Sequence, residues 1–117
     1  MAQGIEPKPF GVSFSFFSYN NQIKDGWMRK CIYGNVVQIT GNIAMSDSFP
    51  VSWTDTLVAT DVPKSSTDQF CGIVRFDNTA IAPATVAIKS DGLYISSRNN
   101  DIKGQVGILI ATYITTD

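Results

Sequence analysis

Two short clusters and one lone ring carry the side chains best suited to holding a ligand. Trp27 follows an expected loop, 20–26, and so stands at a strand mouth, with Asp25 two residues before it and Arg29 two residues after. An indole face stacks on the apolar C–H patch of a sugar ring, while a carboxylate and a guanidinium hydrogen-bond its hydroxyls. These three residues therefore make a sugar platform if the indole faces outward. Packing of Trp27 against its strand neighbours is the competing outcome. The polar stretch 98–104 supplies Arg98, Asn99 and Asp101, with the same hydroxyl-binding chemistry, although Asn and Asp are also ordinary turn formers. Tyr94 alternates outward from Leu93 and Ile95, where it either stacks on a ligand or stands as an exposed strand tyrosine.

Catalytic means are scarce. The chain contains no histidine, which removes the commonest general acid–base and the commonest metal ligand, and with them Ser/His and Cys/His nucleophile pairs. Only Cys31 and Cys71 are available as thiolate ligands, too few for a zinc site. Two carboxylates can hydrolyse a glycoside. However, Asp25, Asp77, Asp91 and Asp101 all lie in turn sequences, and Asp47 and Asp55 merely flank Trp53. No acidic run of the calcium-loop kind occurs. The expectation is a binding or assembly domain that is not an enzyme and needs no cofactor and no metal.

Charge agrees with that reading. Charged residues make up 16% of the chain, against roughly 25% in typical soluble domains, and the formal net charge is −1. A nucleic-acid partner would require clustered Lys and Arg. A neutral, polar surface suits sugars or other subunits. No apolar run approaches the roughly 20 residues that span a bilayer, so no membrane insertion is expected. The stretch 10–19 is broken by Ser13, Ser15 and Ser18 and does not read as a signal peptide. The two cysteines lie within apolar strand patterns and are expected as buried free thiols; a disulfide is the alternative and would imply an oxidising compartment.

The elements that position these groups are strands. The 117 residues suffice for one domain. Residues 1–10, with Gly4, Pro7 and Pro9, read as an extended lead-in, and 11–117 as the β domain. Strand patterns cover 12–19, 27–33, 36–45, 53–60, 70–76, 85–89, 93–97 and 106–114, with no segment of helical period. About eight strands point to an all-β, antiparallel β-sandwich or jelly roll. Gly34-Asn35 and Ser90-Asp91-Gly92 are hairpin signals. Val37, Ile39, Ile43 and Met45 share one face of 36–45, interrupted by Gly41, which implies a bulge or a close neighbour. In 12–19, Val12, Phe14 and Phe16 share one face, and Phe17 and Tyr19 the other. Segments 70–76 and 106–114 are apolar on both faces: Phe70, Val74 and Phe76 against Cys71 and Ile73; Val106, Ile108 and Ile110 against Leu109, Ala111 and Tyr113. One sandwich core consumes one face. The other is covered by a subunit interface or by loops of the same chain.

The tract from Cys31 to Ile95 resembles the C-terminal head domains of baseplate and tail-fibre proteins from tailed phages and prophages of Gram-positive bacteria. The resemblance rests on Gly34-Asn35-Val36-Val37 followed by Ile39-Thr40-Gly41-Asn42-Ile43. It rests also on Trp53 ahead of Asp55-Thr56-Leu57-Val58-Ala59-Thr60, on the loop with Pro63, and on the hairpin 86–95 with its Asp91-Gly92 turn. Residues 64–67 lack the second proline that the family often carries. The resemblance implies a receptor-binding head, usually a homotrimer with a saccharide site at one end, often between subunits. It further implies a place in the virion tail or baseplate, beside other tail or baseplate proteins, after assembly in the host cytoplasm, with a host surface glycan as ligand. Two other classes fit the residues: a purely structural baseplate or capsid decoration domain, and a carbohydrate-binding module of a cellular enzyme.

Overall fold

Alternation of β-branched and aromatic residues with polar ones produces strands and little else. The computed structural model describes residues 13–51 and 54–116. Its strands are β1 (Ser13–Phe17), β2 (Ile23–Tyr33), β3 (Val36–Met45), β4 (Thr56–Ala59), β5 (Gln69–Phe76), β6 (Ala84–Ile88), β7 (Leu93–Ser96) and β8 (Val106–Ile114). Every pairing is antiparallel. The eight strands form one hydrogen-bonded sheet, in the order β1-β2-β3-β8-β5-β6-β7-β4, where a sandwich pattern implies two.

That sheet curls until its two edges touch. Asn20, just beyond β1, donates its backbone N–H to the Val58 carbonyl at 2.8 Å and its side-chain amide to the Leu57 carbonyl at 2.8 Å, both on β4. One sheet face therefore lines a core and the other looks outward. Val37, Ile39, Ile43 and Met45 are all fully buried, as their alternation requires, and the bounds of β3 and β8 coincide with the patterns that announce them. Leu109, Ala111 and Tyr113 of β8 point inward, and the Tyr113 hydroxyl donates to the Pro63 carbonyl at 2.6 Å. Loop residues Phe49, Ile81 and Ile102 complete the core. Each such burial removes apolar area from water worth about 1.5–3 kcal/mol.

Strand β1 keeps the two faces of its sequence pattern, while β2 and β5 depart from theirs: β2 begins at Ile23, taking in residues 23–26 of the expected loop, so Trp27 lies inside the strand and not at its mouth. In β1 the inward residue is Phe17, while Phe14 and Phe16 stand 61% and 70% exposed. In β5 a bulge lies between Phe70 and Gly72 against β6. It takes Phe70 out of the row of Val74 and Phe76: those two are buried and Phe70 is exposed. Gly72 explains the site of the bulge. A Cβ there would run into the Ile110 carbonyl and the Ala111 backbone, so only glycine lets β5 approach β8 this closely.

Cys31 and Cys71 are unpaired and half-buried. Cys71 packs against the core, and burial pushes its thiol up to about 11. The lead-in 1–10, Val12 and Trp53 lie outside the described residues.

Candidate functional site

The candidate residues separate into two regions. Asp25, Trp27 and Arg29 stand on β2 and Tyr94 on β7, strands that do not pair, and the side chains keep separate company: Trp27 with Phe16, Arg29 with Phe14, Tyr94 with Asp91 and Lys89.

That loop is built tightly. Asn99 caps a single 3₁₀ turn, Asn100–Ile102, by accepting a hydrogen bond from the Asp101 backbone N–H at 2.9 Å. The Asn99 N–H in turn donates to the Ser97 hydroxyl at 3.0 Å. Buried Ile102 anchors the turn in the core. The facing loop, 77–83, is pinned by Asp77, whose N–H donates to the Val106 carbonyl at 2.9 Å, and by buried Ile81. Two shallow depressions lie between these loops, on either side of the 3₁₀ turn. One, of about 470 Å³, is lined by residues 82, 83, 85 and 96–99, among them Pro83, Thr85, Arg98 and Asn99. The other, of about 460 Å³, is lined by Asn78, Ala80, Ile81, Asn100, Asp101, Lys103 and Gln105. Arg98, Asn99 and Asp101 are therefore brought to one end of the molecule, divided between two adjoining hollows. The first hollow combines the hydroxyls of Thr85, Ser96 and Ser97, the Asn99 amide and the Arg98 guanidinium with the small apolar surface of Ala82 and Pro83; the Asp101 carboxylate lines the second. This combination serves a polyhydroxylated ligand with one apolar patch.

Trp27 faces outward and is 45% exposed. It has company that the sequence alternation did not single out. The Phe16 ring meets it edge-on, centroids 5.9 Å apart at 87°. The Arg29 guanidinium lies 5.2 Å over the centroid of Phe14. Asp25 accepts a hydrogen bond from the N–H of Gly26 at 2.8 Å. The group is thus an aromatic stripe on a convex surface.

Tyr94 is part of a polar network. Its hydroxyl sits 2.8 Å from both Asp91 carboxylate oxygens, and the Lys89 ammonium lies 4.9 Å over its ring. Lys89 also pairs with Asp55 at 3.0 Å. The Asp91 hydrogen bond raises the Tyr94 pKa, and the Asp55 hydrogen bond raises that of Lys89. This arrangement ties β6, β7 and the start of β4 together.

Sequence reasoning missed Asn78, Pro83, Thr85 and Lys103 as lining residues, because nothing local reveals that loop 77–83 faces loop 97–105. It also missed Phe14 and Phe16 as surface residues. The signal available was the single inward Phe17, which fixes the parity of β1.

No family model matches the chain, and no curated protein matches it. Among solved structures, the chain is similar to the head domain of phage bIL170, described in a work that asks whether the receptor-binding domains of lactococcal phages share a common fold. The TM-score is 0.59 at 14% identity, over 89% of this chain and 98% of that one. At that identity the likeness is one of fold.

Proposed function

We propose that the chain is the receptor-binding head of a phage tail or baseplate, that it binds a host cell-surface saccharide, and that it works as a homotrimer. The observation that carries this reading is the likeness to the bIL170 head domain over nearly the whole of both chains. Two features of the molecule support it. The loop end offers a hollow with hydroxyl-binding groups, and the outer sheet face leaves large apolar side chains exposed on β1, β2, β5 and β8. Exposed apolar surface of that extent marks an interaction face.

We place the saccharide in the hollow beside Arg98 and Asn99, reaching toward Asp101. The test is a glycan array followed by calorimetry on the sugars retained. Affinity per site is expected between about 1 mM and about 1 μM, strengthened by multivalency in the particle. Arg98→Ala removes a charged hydrogen-bond donor, worth about 1.5–3 kcal/mol, and is expected to weaken binding by roughly tenfold or more. Among the described residues no three carboxylates or thiols gather as metal ligands, so EDTA should leave binding unchanged. Sugar binding indifferent to Arg98→Ala would move the site elsewhere. An assembled protein that retains no saccharide would favour a structural virion part, and a monomer that binds sugar would favour a carbohydrate-binding module.

A further inference from the structure

The sequence contains two Asp-Gly pairs, Asp25-Gly26 and Asp91-Gly92. Such a pair carries a reaction of its own. Glycine has no Cβ to shield its backbone nitrogen, and that nitrogen can attack the carboxyl carbon of the preceding aspartate. In a folded chain the reaction depends on geometry: the nitrogen must lie against that carbon, and the backbone must have room to close the ring. The fold treats the two pairs differently on both counts.

At the first pair the Gly26 N–H donates to the Asp25 carboxylate at 2.8 Å, so the nitrogen already lies beside the carbon it would attack. Both residues are exposed. The Tyr19 hydroxyl donates to the Gly26 carbonyl at 2.8 Å and holds the glycine in place. Strand β1 accompanies β2 only as far as Phe17 opposite Met28, so residues 23–27 have a strand neighbour, β3, on one side alone. Their register with β3 also slips between Ile23 and Asp25, a bulge that leaves this backbone slack. At the second pair the carboxylate is turned away from its glycine. Both Asp91 carboxylate oxygens lie 2.8 Å from the Tyr94 hydroxyl. Gly92 is buried, with the Ala59 carbonyl where a Cβ would stand, and its own carbonyl accepts the Lys89 N–H at 2.9 Å.

We propose that Asp25-Gly26 is a site of self-modification, at which the native chain turns its aspartyl link into an isoaspartyl one, and that the fold holds Asp91-Gly92 unreactive. The Gly26 nitrogen forms a bond to the carboxyl carbon of protonated Asp25. The carbon–hydroxyl bond breaks, and the hydroxyl leaves as water with the proton from the nitrogen. Water then adds to the resulting cyclic imide. Opening at the former side-chain carbonyl restores aspartate; opening at the former main-chain carbonyl gives isoaspartate. No oxidant, metal or second protein is required. The product keeps its negative charge but has one more methylene in the main chain of β2, two residues before Trp27. The existing bulge and the missing β1 neighbour let the sheet absorb it.

The test is long incubation of the native protein at neutral pH and physiological temperature, beside the same protein unfolded in guanidinium chloride. Hydroxylamine traps the imide, and peptide mapping with fragmentation locates both the trapped adduct and the isoaspartate. In the unfolded chain the two pairs should react at comparable rates. In the native chain residue 25 should react roughly tenfold faster than residue 91, a difference of about 1.4 kcal/mol in barrier. Asp25→Glu, which would have to close a larger and slower ring, should remove the adduct from this peptide, with circular dichroism checking that the variant folds. Gly26 itself is not replaced, because a Cβ there would run into the Asn42 carbonyl. Equal native rates at the two pairs would overturn the proposal. So would a native residue 25 that stays unmodified while the unfolded chain reacts, or an adduct that survives Asp25→Glu.

Discussion

Single residues show where side-chain chemistry in this domain is silenced and where it is left open. Cys71 is silenced: burial pushes its thiol from the ordinary 9.0 up to about 11. Between those values the unfolded chain gives up the proton and the native chain keeps it. The native state therefore loses stability as pH rises from about 9 to about 11 and is unaffected by this group below that range. Urea unfolding of the wild type and of Cys71→Ala across this range isolates the effect, because the other titrating groups are common to both. The wild type should show the steeper decline; parallel curves would place the thiol in solvent. Trp27 is left open on a convex stripe, and Arg98 lines a hollow. Both were legible as ligand-type residues, because residue type is written in the sequence. Their separation was not, because it depends on strand order, which no local pattern encodes.

At the level of elements, legibility followed periodicity. The bounds of β3 and β8 were readable to the residue, as was the inward face of β3; which of the two apolar faces of β8 points inward was not. Strand β5 defeated the same reasoning because its bulge at Phe70 and Gly72 shifts parity midway, and a one-residue shift turns a side chain to the opposite face. Gly41 in β3 presents the opposite situation, where the sequence hint has a direct structural cause. A Cβ at Gly41 would sit 2.8 Å from the Trp27 carbonyl oxygen and 2.9 Å from the Met28 Cγ. The methionine can move aside; the carbonyl, held in the β2–β3 ladder, cannot. Gly41→Val is therefore expected to cost on the order of 1–3 kcal/mol, read as a lowered thermal midpoint. An unchanged midpoint would mean that β2 and β3 can separate locally without loss.

At the scale of the whole molecule, the class of fold was readable from strand count and turn spacing, but the single curled sheet was not, because a curl and a sandwich share the same alternation. What joins the curl is β8, which lies between β3 and β5. On one side of it stand β1, β2 and β3, and on the other β5, β6, β7 and β4. In the hydrogen-bonded order the two halves are joined through β8; they touch again where Asn20 bonds β4 and Lys30 bonds the Asp61 carbonyl, and they share one core. A chain ending at Gln105 should accordingly show no native near-ultraviolet circular dichroism, and a native spectrum from it would refute the point. The last of the described strands in chain order thus has a central place in the sheet, and the consequence is kinetic. While β8 is still being synthesised, the two half-sheets each expose the edge that it will fill, with the apolar residues of the core beside it. Contacts of such long sequence separation form slowly, in milliseconds to seconds for β-rich domains, and unpaired edges invite pairing with other chains. A nascent chain with β1 to β7 made is at its most adhesive just before β8 is complete, when neighbouring ribosomes hold other copies in the same condition.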